Sequence, residues 1–530
     1  MSDTKKKKQE DITETQEKVL TRYDLKMQRR KEQKKKEELE KRIGTVVGIL
    51  LLIGLICLIV SFPIRSWLTV HGTYVVVDGE KVSRVEYDYN YYTVLNSYVN
   101  QNGYLLSYFG LNLDGDLSTQ MYSNTMSWKD YFDEMTVDNL TSGIAMRREM
   151  EAAGFTYDES KEYDDFVEAL RNAATEGGVS FNDYIKEYFG PYATLNRVEE
   201  YIRENLKVSA FFEEVSEGKT PSDDKIQAYY EENKNSYDLV DYHMLTVEAE
   251  LPTEPTELAD PVDETGDEAA IDGEESAYVP SQAEIDAAME LAKAEADELE
   301  PTVLTDGEAY TGMSQSSVNY LLTSWLFDSA RTKGDTTVIE DTYSHSYYVV
   351  AFDDRYINPA VSVNVRAVLT LDGNGQAILD EWKAGDATEE SFAALADQYN
   401  DYSVVLSEEG GLLEGLRTSS MSEELSSWLS DKSRVYGDTA VITPEYDTVT
   451  YVFYYLGVGD PEWKVAIREI LLDDIMGEYV RGLTADMKVE DPHHNLKYLE
   501  IRAQEEAAAA ADNDSDNSSE DSEAENSSAE

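Results

Sequence analysis

The chain has 530 residues and carries 107 Asp+Glu against 45 Lys+Arg, a net charge of −62; a surface this acidic repels phosphate backbones and argues against DNA or RNA as a partner. The length allows roughly three or four domains, and 41% hydrophobic residues are enough to build real cores. The one cysteine, Cys57, rules out a disulfide framework and a cysteine-based metal site within the chain.

Residues 1–42 hold 15 Lys/Arg against 10 Asp/Glu, which leaves the remainder at −67. This basic lead is polar and reads as a cytoplasmic tail. Ile43 to Phe62 follows, 20 residues without a charge, enough helix to cross ~30 Å of hydrocarbon. Lys41 and Arg42 sit immediately before it, so the N-terminus is expected inside and the bulk of the chain outside. The lead is too long for a cleavable signal peptide, and no small-residue cleavage site follows. The reading is a single-pass signal anchor in the cell membrane with an extracytoplasmic body.

Thr73 to Val82 is β-rich around Asp78-Gly79, a strong hairpin signal. Helical patterns run from Val85 and then through Trp128–Ala153, Ser160–Ala174, Phe181–Phe189 and Thr194–Val215, punctuated by Gly154, Gly177-Gly178 and Gly190-Pro191. Tyrosine is abundant here, at 87, 89, 91, 92, 98, 104 and 108. It either packs helix faces or offers adaptable contact area to unfolded peptide. Thr220–Tyr237 reads as a capped helix and Val240–Val247 alternates like a strand. Glu248–Pro280 is acidic and poor in large apolar residues, the mark of an insertion without a core. Ser281 and Glu284 form a capping-box pattern that opens a helix to Leu299.

Ser316–Ile339 then recurs, without a gap, as Ser419–Ile442. The two segments share Trp325/Trp428, Leu326/Leu429, Asp328/Asp431, Arg331/Arg434 and Gly334-Asp335-Thr336/Gly437-Asp438-Thr439. Self-similarity at a fixed offset means a duplicated unit. Each unit begins with a strand (Val240 or Val361 onward), passes through helices and closes with a strand (Tyr343–Phe352 or Val449–Leu456), an α+β domain. Glu462–Glu500 returns to helix, and an Ala-rich, then Asp/Ser/Glu-rich tail follows, expected to be disordered.

Residues 361–457 resemble a parvulin-type peptidyl-prolyl isomerase domain. The likeness lies in SFAALADQYND (Ser391–Asp401), the turn Gly410-Gly411-Leu412-Leu413-Glu414-Gly415, a helix led by Met421, Gly437 and the closing strand. Residues 240–352 look like a second, diverged copy. Val75–Tyr87 and Asp224–Leu245 are similar to the N-terminal chaperone region of SurA/PrsA-like foldases, in which a late helix completes that region. The implied organisation is a chaperone region at 68–238 completed by helix 462–503, a parvulin-like domain at 239–357 with insertion 248–280, a second at 358–460, and a tail at 504–530.

The resemblance implies a foldase acting on unfolded or exported polypeptides, with no cofactor and no metal. It implies a site of His, Met, Phe and His, of which copy one supplies His243, Val318, Leu322 and Tyr348, and copy two Ala367, Met421, Leu425 and Tyr451. The candidate catalytic residues are therefore Met421, Leu425, Tyr451, His243 and Tyr348, with Trp428, Gly410 and Gly411 as substrate-binding residues. Because neither copy holds the full set, a holdase or a cell-surface scaffold that keeps only the fold stands as the alternative.

Overall fold

The structure is a computed structural model that describes residues 67–508 except 107, 255, 257–277, 372, 401–408 and 506. The basic lead, the apolar segment Ile43–Phe62, most of the acidic insertion and the tail beyond 508 lie outside the described residues. Among the described residues no helix is long and apolar enough to cross a membrane.

The elements in chain order are β1 (Thr73–Val77), β2 (Glu80–Ser83), α1 (Arg84–Asn102), α2 (Trp128–Ala153), α3 (Ser160–Glu176), α4 (Phe181–Phe189), α5 (Leu195–Glu217), α6 (Asp223–Glu232) and β3 (Asp238–Glu248). Next come α7 (Gln282–Leu299), α8 (Val303–Asp306), β4 (Glu308–Ser314), α9 (Tyr320–Leu326), β5 (Thr336–Asp341) and β6 (Ser346–Ile357). The chain continues through β7 (Val361–Thr370), α10 (Gly375–Ala384), α11 (Glu389–Tyr399), β8 (Leu412–Leu416), α12 (Glu423–Leu429), β9 (Thr439–Ile442), β10 (Thr450–Pro461), α13 (Glu462–Thr484) and β11 (Val489–Glu490). The architecture is α+β, with three sheets ordered β11-β1-β2, β4-β3-β6-β5 and β8-β7-β10-β9.

Local chemistry accounts for much of this. Val77 pairs with Glu80 across Asp78-Gly79, and both turn residues have positive φ, 46° and 83°, as a two-residue hairpin requires. Ser83 and Glu86 cap α1 reciprocally, as Ser281 and Glu284 cap α7. The late helix ends at Thr484 rather than running on toward 503. Pro492 cannot sit inside a helix, and Val489–Glu490 instead pairs with β1, supported by the Asp78 N–H donating to the Lys488 carbonyl at 2.6 Å.

The contacts divide the chain into two compact units. Of the described residues, one takes in those up to Thr141, Asn182–Tyr201 and those from Met487. It holds the three-stranded sheet and a core of Val94, Leu111, Trp128 and Phe132. Within it the Tyr87 hydroxyl donates to Asp133 at 2.8 Å, and Lys129 pairs with the same carboxylate. Burial pushes the Asp133 carboxyl up even beside Lys129.

The other unit takes in Ser142–Phe181 and Ile202–Asp486. The region expected at 68–238 thus contributes to both. In this unit α13 packs on α6 through Ile226, Tyr230 and Ile467, all buried.

The two four-stranded sheets have one topology. Each adds a strand that periodicity misses, β4 or β8, a short strand containing Gly312 or Gly415. Their central pairs share a β-bulge: Tyr242 faces Phe352 and Asp241 faces Asp354, as Val365 faces Tyr455 and Asn364 faces Gly457. One residue, Asp353 or Leu456, is left over in each. Both faces of each sheet are buried. Val247, Val349 and Ala351 lie under α7 in copy one, and Val368, Val452 and Tyr454 lie under α10 and α11 in copy two, where Ile378 and Phe392 cover them. The opposite faces pack a single short helix, α9 or α12.

In copy one the buried Glu284 carboxylate accepts from Thr256 N–H at 2.7 Å, Thr256 Oγ1 at 2.6 Å, Ser281 N–H at 2.9 Å and the Tyr278 hydroxyl. The Thr256 hydroxyl is the largest influence holding it well below the usual carboxylate range. A depressed folded pKa contributes stability above the unfolded value, ~4.3, that is lost as pH falls toward the folded one. Glu284→Gln is therefore expected to lower the thermal unfolding midpoint at pH 7. Scans from pH 7 down to pH 3 should show the gap to the parent closing below about pH 4.

Candidate functional site

The repeated residues build the same clamp twice. The Arg434 guanidinium lies over the Trp428 ring at 4.8 Å and pairs with Asp431 at 3.2 Å and Asp438 at 3.6 Å. Arg331 lies over Trp325 at 5.1 Å, with Asp328 at 3.6 Å and Asp335 at 3.8 Å. The Gly437 N–H donates to the Tyr455 carbonyl at 2.9 Å, and Gly334 to Phe352 at 2.8 Å. Asp438 accepts from the Val435 N–H and Asp335 from the Thr332 N–H. The repeated Trp, Arg and Gly-Asp thus tie the turn after each short helix to the central strand β6 or β10.

In copy two, Met421, Leu425, Trp428 and Tyr451 meet on one sheet face. They belong to a cluster whose buried members are Val363, Val365, Ala367, Leu425, Leu429, Phe453 and Tyr455. Leu425 and Leu429, one helical turn apart, pin α12 to the sheet. Met421, Trp428 and Tyr451 remain half-buried at its edge. Trp428 stacks on Phe453 with centroids 5.9 Å apart, and Tyr451 stacks on the same ring at 5.8 Å. The Tyr451 hydroxyl donates to Asp447 at 2.9 Å. Burial, and then Asp447, pushes its pKa up to about 12, so the phenol stays protonated at neutral pH. The face is apolar and aromatic. Among the described residues no group of three His, Cys, Asp or Glu is placed to hold a metal ion.

Copy one has the matching face, with Val318, Leu322, Trp325 and Tyr348. The Tyr348 hydroxyl donates to Asp341 at 3.1 Å and accepts from Asn319 at 3.3 Å. His243 does not join them. It pairs with Ala351, whose side chain belongs to the cluster under α7, on the other side of the sheet. The register makes Met244, opposite Val350, the counterpart of Ala367, opposite Phe453. A one-residue step along a strand moves a side chain to the opposite face, and this separates His243 from Tyr348.

Gly410 and Gly411 contact the sheet and α11, not the Met421 face. Their φ values are 72° and 65°, a region that favours glycine. A Cβ at Gly411 would lie 2.3 Å from the Ala367 carbonyl oxygen and 2.7 Å from the Ala396 Cβ. One at Gly410 would meet Arg366 at 2.7 Å and Ala393 at 2.8 Å. The pair lets β8 approach β7 and α11 closely, which gives both glycines a backbone role.

The tyrosines of the first unit divide between core and surface. Tyr87 and Tyr89 are buried, whereas Tyr108 is 84% exposed. Phe109, Leu113, Met121 and Tyr122 are exposed as well, and Tyr122 stacks on Tyr131 with centroids 4.0 Å apart. Of these, Phe109, Leu113, Met121 and Tyr122 escaped sequence reasoning because the stretch has no periodicity to read. Large apolar residues set among Gly, Asn, Asp and Ser are the signal there.

No protein-family model matches the chain. No curated protein matches it. Among solved structures it is similar to a peptidylprolyl isomerase (PrsA) from Bacillus anthracis at 16% identity, over 24% of this chain and 58% of that one, with a TM-score of 0.16. It is similar to the foldase protein PrsA from Streptococcus pneumoniae at 13% identity, over 57% and 96%, with a TM-score of 0.15. It is also similar to PrsA from Bacillus subtilis at 12% identity, over 62% and 96%, with a TM-score of 0.13. The match thus spans little more than half of the Bacillus anthracis protein, and similarity of this size decides neither fold nor activity.

Gly411→Ala is expected to destabilise the protein by about 1–3 kcal/mol, through the αL strain and the collision with the Ala367 carbonyl. Chemical denaturation measures it, and unchanged stability would return this glycine to the substrate-contact reading.

Proposed function

We propose that copy two is a parvulin-type peptidyl-prolyl isomerase site in a foldase that handles exported polypeptides. The observation that supports this is the meeting of Met421, Leu425, Trp428 and Tyr451 on one apolar, aromatic sheet face. The trans/cis barrier of a peptide bond arises from C–N double-bond character, ~18–20 kcal/mol, and uncatalysed prolyl exchange takes tens of seconds or more. Lowering it needs no nucleophile and no metal. It needs an apolar cup for the pyrrolidine ring and a dry setting for the twisted amide, whose nitrogen becomes more basic as resonance is lost. Met421 supplies adaptable apolar contact, and Trp428 and Tyr451 supply flat walls. Tyr348 and Trp325, over the buried Val318 and Leu322, form the corresponding edge of copy one, which serves as a second peptide platform. Through Ile43–Phe62 the protein is held in the cell membrane with this body outside.

A second reading is a holdase without isomerase activity. Two observations favour it: the Tyr451 proton is directed to Asp447 with no histidine on the face, and the first unit exposes Tyr108, Phe109, Met121 and Tyr122. Measuring exchange of an Xaa-Pro peptide by NMR exchange spectroscopy separates the readings. The full-length chain in detergent is expected to accelerate exchange. Met421→Ala should reduce the acceleration at least ~10-fold while moving the thermal midpoint by only a few degrees. No acceleration from a folded parent would remove the isomerase reading and leave the holdase.

A further inference from the structure

The stretch that leads into Met421 is held by one buried carboxylate. Glu462, the first residue of α13, is 5% exposed. It accepts from the Thr418 N–H at 2.6 Å, the Thr418 hydroxyl at 3.0 Å, the Ser419 N–H at 3.2 Å and the Ser419 hydroxyl. Thr418–Ser420 is a single 3₁₀ turn, and the Met421 N–H closes it by donating to the Thr418 carbonyl at 3.2 Å. A second tie joins the same turn to α13, the Arg417–Glu469 ion pair at 3.0 Å. Glu462 is itself fixed, its N–H donating to the Ala360 carbonyl at 2.9 Å beside β7. A carboxylate that gathers four donors holds a short turn more tightly than neutral partners do.

Copy one lacks this tie. At the shared offset the counterparts of Thr418, Ser419 and Glu462 are Gln315, Ser316 and Pro359. Proline has no acceptor side chain, and the Ser316 hydroxyl bonds Ser314 instead. The difference coincides with the face that carries Met421 rather than Val318.

We infer that Glu462 is a positioning residue for the prolyl-peptide site of copy two, an assignment that rests on the isomerase reading. It sets the Thr418–Ser420 turn, and the turn sets where Met421 packs on the cluster that Trp428 and Tyr451 also pack against. It touches no substrate and transfers no proton. Its carboxylate acts on peptide exchange only through the placement of Met421.

The test uses the full-length chain and the Xaa-Pro exchange assay. Glu462→Ala is expected to lower kcat/KM about 10-fold, mostly through kcat, with KM within about 2-fold of the parent. Glu462→Gln keeps an acceptor oxygen and should recover part of the loss. Ser419→Ala, which removes one donor and leaves Glu462 in place, should cost about 2–3-fold and covers the case in which Glu462→Ala fails to fold. The discriminating variant is Met421→Ala/Glu462→Ala. If Glu462 acts through Met421, the double variant is no slower than Met421→Ala alone, although its stability still falls. Losses that multiply, a rise in KM at unchanged kcat, or parent activity in both Glu462→Gln and Ser419→Ala would overturn the assignment while leaving the isomerase reading intact. A folded parent that does not accelerate exchange overturns both.

Discussion

The central antiparallel pair of each duplicated sheet, β3 with β6 and β7 with β10, constrains the rest of the second unit. Both faces of these pairs are buried, so the register decides which side chains go under the long helices and which go under the short one. A slip of one residue would exchange the two sets and bury the wrong side chains on each face. The bulge at Asp353 and Leu456, found at the same position in both copies, belongs to that register. It sets Tyr242, Met244 and Tyr348 on one face of copy one, and Val365, Ala367 and Tyr451 on the matching face of copy two.

The two faces of each sheet are then closed differently. In copy two, α10 and α11 cover one face with Ile378, Leu379, Trp382 and Phe392. Among the described residues the other face receives α12 and the turn before it, and Met421, Trp428 and Tyr451 stay at the edge of the core and keep part of their surface. The Arg434–Trp428 clamp fixes the far end of α12, and Glu462 fixes the turn at its near end. The short helix is thereby held at both ends although it has only seven residues.

The acidity of the chain is put to structural use at selected positions. Glu284 and Glu462 are buried carboxylates that each gather several hydrogen-bond donors, and Asp335 and Asp438 close the turns after the short helices. A buried carboxylate without donors carries a large desolvation cost. Glu284 and Glu462 have donors supplied by backbone N–H groups and by Ser, Thr or Tyr hydroxyls, whereas the half-exposed Asp335 and Asp438 also pair with Arg331 and Arg434. Among the described residues most of the other carboxylates are not buried.

What the sequence by itself determined is the part of the fold governed by near neighbours along the chain. The duplication, the Asp78-Gly79 hairpin, the capping boxes at Ser83 and Ser281 and the span of Trp128–Ala153 depend on contacts a few residues apart, and they are legible as patterns. So is the pair Leu425 and Trp428, which helical spacing places on one side of α12; Met421, expected to lead that helix, instead lies before it in extended backbone that closes the Thr418–Ser420 turn. The tertiary structure alone decided the face of His243, the ending of α13 before Val489 joins β1, the close approach that requires Gly410 and Gly411, and the convergence of Glu462 on Thr418. Each of these depends on which distant strand or helix lies alongside. A register shifted by one residue, or a carboxylate 44 positions away in sequence, leaves no local periodicity, because the energy that selects it comes from burial across the fold.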